Sequence, residues 1–171
     1  MKNKYSSFTA LAEDYVKEFD TQAAVRYLRE YCKAEAEELL ERADELKDQR
    51  FRFVDKWDME PCETPYHLEK MEWDRTPNGD PEWVYMLNRH DYMYKLYLAY
   101  SLTGDRGYVQ KLRWYLFHWI QNNEIKEEGT ETTRTIDTGI RCMSWQFLLL
   151  HLTGSRLLSK DETEKIINSI R

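Results

Sequence analysis

Glycine and proline are scarce in this chain of 171 residues, six and four respectively. All four prolines lie between Pro61 and Pro81, and the glycines Gly104, Gly107, Gly129 and Gly154 punctuate the rest, so long segments run without a breaker. That scarcity points to a mainly helical protein. Cysteine is also rare: Cys32, Cys62 and Cys142 are odd in number and lack paired spacing, which argues against both a disulfide framework and a zinc site. No glycine-rich phosphate loop, nucleophile elbow or calcium loop is written in the sequence, and no metal or other cofactor is expected. Nor is any apolar run long enough to span a bilayer, so no membrane partner is expected. The basic start Lys2-Asn3-Lys4 is followed by Tyr5-Ser6-Ser7 rather than the apolar core of a secretory signal. As written, the chain reads as cytoplasmic, or periplasmic or secreted if a leader was removed. A net charge of -6 disfavours nucleic acid as a partner, so any anionic ligand has to be held by local arginines.

What is present is helical periodicity. Tyr5 to Phe19 places Phe8, Leu11, Ala12, Tyr15, Val16 and Phe19 on one face, and Thr21 can cap a second, highly charged helix running to about Leu46. Phe51, Phe53 and Trp57 frame a short alternating run, RFRFVD, which predicts a brief extended segment before an irregular stretch with an Asn78-Gly79 turn. Asn88 to Leu102 is apolar nearly all round and predicts a buried inner helix, whereas Tyr108 to Gln121 puts Val109, Leu112, Leu116 and Trp119 on one face of an outer one. A second copy comes after it: FLLLHLTGS ends at Ser155 as YLAYSLTGD ends at Asp105, an offset of 154 - 104 = 50 residues. Gly104 and Gly154 suit left-handed helix ends, with Asp105 and Ser155 free to cap the next helix in each case. The final SKDETEKIINSIR opens with a capping box, Ser159 and Glu162, and carries an apolar stripe of Ile166, Ile167 and Ile170 that looks unmatched. The unit is a helical hairpin, and two of them after a lead-in read as part of a larger array.

Polar residues interrupt the apolar pattern at two places. Asn88, Arg89 and His90 open the first inner helix after Trp83, while Arg134, Asp137, Arg141 and Trp145 share one face of the second, opposite Ile136, Ile140, Met143 and Phe147. Equivalent ends of successive inner helices should meet, so the two groups are expected to line one cleft. Two readings stand side by side. One is an internal ion pair, Asp137 with Arg141, plus an arginine stacked on Trp145. The other is a ligand site in which the arginines offer planar forks to a carboxylate or sulfate and Trp73, Trp83 and Trp145 stack on sugar faces. His67, His118 and His151 read as structural. Asp91 and Asp137 could serve a glycoside hydrolase as a carboxylate pair but are better explained as arginine partners.

The order LNRH, AYSLTGDRGY, Trp119-Ile120 and RTIDTGIRCMSW, from about Phe51 to Leu152, resembles the amino-terminal region of heparinase II/III-like polysaccharide lyases, with residues 1–50 as a helical lead-in. The resemblance implies an all-α fold of helical hairpins forming part of an incomplete (α/α) toroid, the amino-terminal part of a lyase domain truncated in residues 51–171. It further implies β-elimination on an acidic, uronic-acid polysaccharide, a glycosaminoglycan of the heparan sulfate kind or an alginate. The family's catalytic asparagine or histidine and tyrosine match no position here, so the resemblance leaves the catalytic residues unassigned. Trp83, Asn88, Arg89, His90, Arg134, Asp137, Arg141 and Trp145 are the candidates for substrate binding, the C-terminal part of the same polypeptide is the expected partner, and the fragment is expected to be inactive. The competing reading is a helical-repeat binding module without activity.

Overall fold

The computed structural model describes residues 7–55, 58, 60–126 and 128–170, and within them the chain forms eight helices and one two-stranded hairpin. Tyr5 and Trp57, which bound two of the predicted segments, lie outside these residues. Ser7 caps α1 (Phe8–Glu18) by accepting from the Ala10 amide, and Asp20, not Thr21, caps α2 (Thr21–Tyr31) by accepting from Ala23. The long helix expected from Thr21 to Leu46 breaks at Cys32, whose ψ of 51° leaves the helical region before α3 (Lys33–Lys47). A straight helix of that span would be about 39 Å long. The break lets both halves turn back onto the same body, with α2 and α3 each packing against α5.

The RFRF alternation forms β1 (Arg50–Phe53), with Phe51 and Phe53 buried and the arginines turned outward. Its partner, β2 (Cys62–His67), lies in the stretch read as irregular. It pairs antiparallel from Arg50↔His67 to Phe53↔Cys62, and Pro65 sits in it because each strand of a lone hairpin has a free edge. Phe51 meets Trp83, Tyr92 and Tyr115 edge to face, joining the hairpin to the helical core.

The remaining helices are α4 (Pro81–Arg89), α5 (Met93–Thr103), α6 (Arg106–Asn122), α7 (Thr135–Gly154) and α8 (Lys160–Ser169). The single inner helix expected from Asn88 to Leu102 is therefore two. His90 takes φ 63° and closes α4, so Asn88, Arg89 and His90 stand at the end of one helix instead of the start of another. The α5–α6 and α7–α8 pairs are the two expected helix-turn-helix units, with no strand in either. Gly104, at φ 77°, ends α5 as anticipated, and Asp105 accepts from Gly107.

Gly154 serves another purpose. It lies inside α7, where a Cβ would stand 2.3 Å from the Ala12 carbonyl oxygen of α1, and the left-handed residue after it is Arg156. Ser155 ends α7, and Ser159 with Glu162 forms the capping box of α8. The isoleucine stripe of α8 is matched after all: Ile166 is fully buried, and Ile167 and Ile170 pack against the core. The uncovered apolar face belongs to α7, where Ile136, Met143 and Phe147 are 63%, 64% and 52% exposed.

Candidate functional site

The C-terminal end of α4 meets the N-terminal end of α7, and there the two polar groups come together. Asp137, in the first turn of α7 and with no exposed surface, receives two guanidinium donors: Arg89 Nε to Oδ1 and Arg134 Nε to Oδ2, each at 2.7 Å. Arg134 also lies over the Tyr85 ring, 3.3 Å from its centroid. Asp137 therefore pairs with Arg89 and Arg134, not with Arg141. One carboxylate locks two helices, and the positive end of the α7 dipole favours its charge.

Arg141 acts one turn further along. Its guanidinium donates to the Asn88 carbonyl at 2.8 Å, to the Thr132 carbonyl at 3.3 Å and to the Thr138 hydroxyl at 2.9 Å, and lies over Trp119 rather than Trp145. Burial pulls its pKa down to about 10, which still leaves it charged at neutral pH. The contact with Asn88 satisfies a carbonyl that the end of α4 leaves without a helical partner. Asn88 is equally committed: its amide donates to the Trp73 and Val84 carbonyls and its oxygen accepts from Trp119 Nε1, all at 2.8 Å.

His90 is enclosed by Trp73, Trp119, Trp145 and Tyr92, and its Nδ1 accepts from Trp145 Nε1 at 3.0 Å. Its Nε2 has no partner. Burial first, then the Arg141 charge, holds its pKa well below the ordinary histidine value, so the ring is neutral. Trp83 is wholly enclosed, with its indole nitrogen unpartnered.

Thus Asn88, Arg89, His90, Arg134, Asp137, Arg141 and Trp145 are linked to one another in the interior instead of lining a cleft, while Trp83 packs toward Phe51, Phe53 and Tyr66 of the hairpin. Trp83, Asn88, His90 and Asp137 have no exposed surface, Trp145 and Arg141 are 1% and 2% exposed, Arg89 is buried, and Arg134 alone is partly open. Trp73, Trp83 and Trp145, expected to present faces to sugars, are all core side chains.

The open space lies next door. A groove of about 1030 Å³ runs between the 70–76 segment, the end of α6 and the 126–132 loop, with Lys70, Glu72, Asn122, Asn123, Lys126 and Glu131 among its lining. Both flanks are tied to the buried cluster. Asn88 holds the Trp73 carbonyl on one side, and Arg141 holds the Thr132 carbonyl on the other. The groove residues come from loops with no periodicity, so no spacing in the sequence marks them. The adjacent Asn122-Asn123 at the end of α6 was the available signal.

Compared with known proteins, the chain matches the family model described as heparinase II/III N-terminus over residues 3–168. The chain belongs to this family. The match takes in the first fifty residues, consistent with α1 resting on α7 and α3 on α5, and places this heparinase II/III amino-terminal unit among lyase-related proteins. No curated protein and no solved structure matches it.

Proposed function

We propose that this heparinase II/III amino-terminal unit is the substrate-holding part of a lyase that cleaves uronic-acid polysaccharides, heparan sulfate-like or alginate-like, by β-elimination. The observation that carries this reading is the bracing of the groove: Asn88 and Arg141 fix one main-chain carbonyl on each flank, so the walls are set before a ligand arrives. Arg134 is the one residue of the cluster with an open side, while the cations lining the groove itself are Lys70, Arg75 and Lys126. The other seven candidates act by position.

The elimination needs the uronate carboxylate neutralised, a base at the C5 proton and an acid at the departing oxygen. No histidine or tyrosine lines the groove among the described residues, and the neutral ring of His90 is enclosed. In this reading the unit holds the substrate, and the base and acid are supplied by another part of the polypeptide. The uncovered face of α7, Ile136, Ile140, Met143 and Phe147, is where a further helical layer of an (α/α) toroid, supplied by the C-terminal part of the same polypeptide, would pack. The same face supports the second reading, a binding module whose separate protein partner covers it.

The test offers heparan sulfate, alginate and related oligosaccharides to the purified chain, following NMR shifts and the absorbance of unsaturated product. Weak binding that moves Trp73 and Asn123 resonances, with no product, is expected. Robust product would overturn the holding role, and shifts confined to the α7 face would favour the binding module.

A further inference from the structure

α1 packs along α7. Ala12, its one fully buried residue, fits the notch left by Gly154. Arg156 reaches Glu13 at 3.2 Å, a pair whose arginine is 82% exposed and which therefore adds little. Val16 also lies against Gly154, and the aromatic part of the contact centres on His151 of α7, to which Tyr15 and Phe19 stand edge-on, each with its centroid 5.2 Å away.

His151 is 1% exposed. Below it Tyr97 lies 4.8 Å away, centroid to centroid, and the Tyr94 hydroxyl is 3.2 Å from Nε2, while Nδ1 has no partner. The titratable groups facing the imidazole are thus Tyr15 from α1 and Tyr94 and Tyr97 from α5. The other charges of α1 are turned elsewhere: Glu13 to Arg156, Asp14 to Lys17 at 3.7 Å, and Glu18 at the exposed end. From α8, Thr163 bonds Thr153 instead of the ring. Among the described residues no carboxylate contacts the histidine, so a proton on Nδ1 would create a buried cation without a counter-charge or an acceptor there.

We propose that α1 is an acid-released clamp: protonation of His151 detaches α1 from α7 while the rest of the fold stays intact. A free helix of 11 residues is too short to persist alone, so the released segment also melts. Release uncovers His151 and the Tyr94–Tyr97 floor. Because Phe147 lies one turn before His151 on α7, the uncovered patch extends the apolar face of that helix. Burial already holds the imidazole pKa below its ordinary value. The docked form then binds fewer protons than the open form, and the balance shifts toward opening as pH falls below about 6.5.

Amide hydrogen exchange, corrected for the intrinsic pH dependence, tests this on the whole chain between pH 7.5 and 5. In the wild type, protection of Leu11, Ala12, Tyr15 and Val16 should fall several-fold as pH drops below about 6.5, and by more than that of Leu112 and Leu116 in α6, which follows global stability. His151→Gln should abolish the pH dependence of α1. Should that variant release α1 at every pH, the wild type decides: the His151 ring titration read by NMR must share its midpoint with the loss of α1 protection. Flat α1 protection, a fall in α1 no larger than that in α6, an unchanged profile in His151→Gln, or mismatched midpoints would each overturn the clamp.

Discussion

Asp137 is the residue on which the α4–α7 junction depends most. It is fully buried and neutralised by two arginines, so replacing it leaves Arg89 facing Glu82 alone at 3.6 Å and Arg134 with only the Tyr85 ring. Asp137→Asn should lower unfolding stability by about 3–5 kcal/mol at pH 7, measured in urea, because breaking a buried pair strands its other members. His90 gives a pH signature. Its folded pKa is depressed, so the unfolded chain takes up a proton near pH 6.5 that the native ring refuses, and stability is lost as pH falls below that value. The loss attributable to His90 should reach about 2 kcal/mol at pH 5. His90→Asn tolerates the left-handed backbone and removes the titration. Urea unfolding at pH 7 and pH 5 should therefore show a smaller difference in the variant than in the wild type, whatever its absolute stability.

At the scale of elements, two glycines of one helix make opposite predictions. At Gly139 nothing stands within 4 Å of an added Cβ, so Gly139→Ala should raise stability by about 0.5–1 kcal/mol through helix propensity alone. Gly154→Ala places a methyl 2.3 Å from the Ala12 carbonyl oxygen and should cost about 1–3 kcal/mol or loosen α1, read from thermal melts and α1 exchange. The YSLTGD and HLTGS echo correctly marks two helix-turn-helix units. It does not separate a glycine needed for a left-handed turn from one needed for a close helix crossing, since local sequence is the same in both cases. The break at Cys32 and the end of α4 at His90 escaped the periodicity for a similar reason. Neither Gly nor Pro marks them, and each exists because the chain must fold back onto a shared core.

Across the whole molecule, the face of α7 distinguishes apolar residues that stabilise this unit from those that do not. Met143→Ser, at a position 64% exposed, should change unfolding stability by no more than about 0.5 kcal/mol, while Trp145→Ala on the opposite face should cost about 3–5 kcal/mol. Equal effects in denaturant titrations would show that the stripe is covered in solution.

Periodicity, punctuation and the residue motifs were enough to determine an all-α architecture, the strand at Arg50–Phe53, the capping box at Ser159 and the family. The elements depend on residues within a few positions of one another, and the family on the order of short motifs along the chain. The repeat suggested that Asn88–His90 would meet Arg134–Arg141, but for a reason that does not hold, since Asn88–His90 end α4 and do not open an inner helix. Only the tertiary structure decided which way those side chains face. Around Asp137 and Asn88 the donors and acceptors saturate one another inside the protein, because a buried polar group stays folded only when it is paired. The groove was left to loops, whose course is set by the carbonyls that Asn88 and Arg141 hold across 15 and 9 residues of chain.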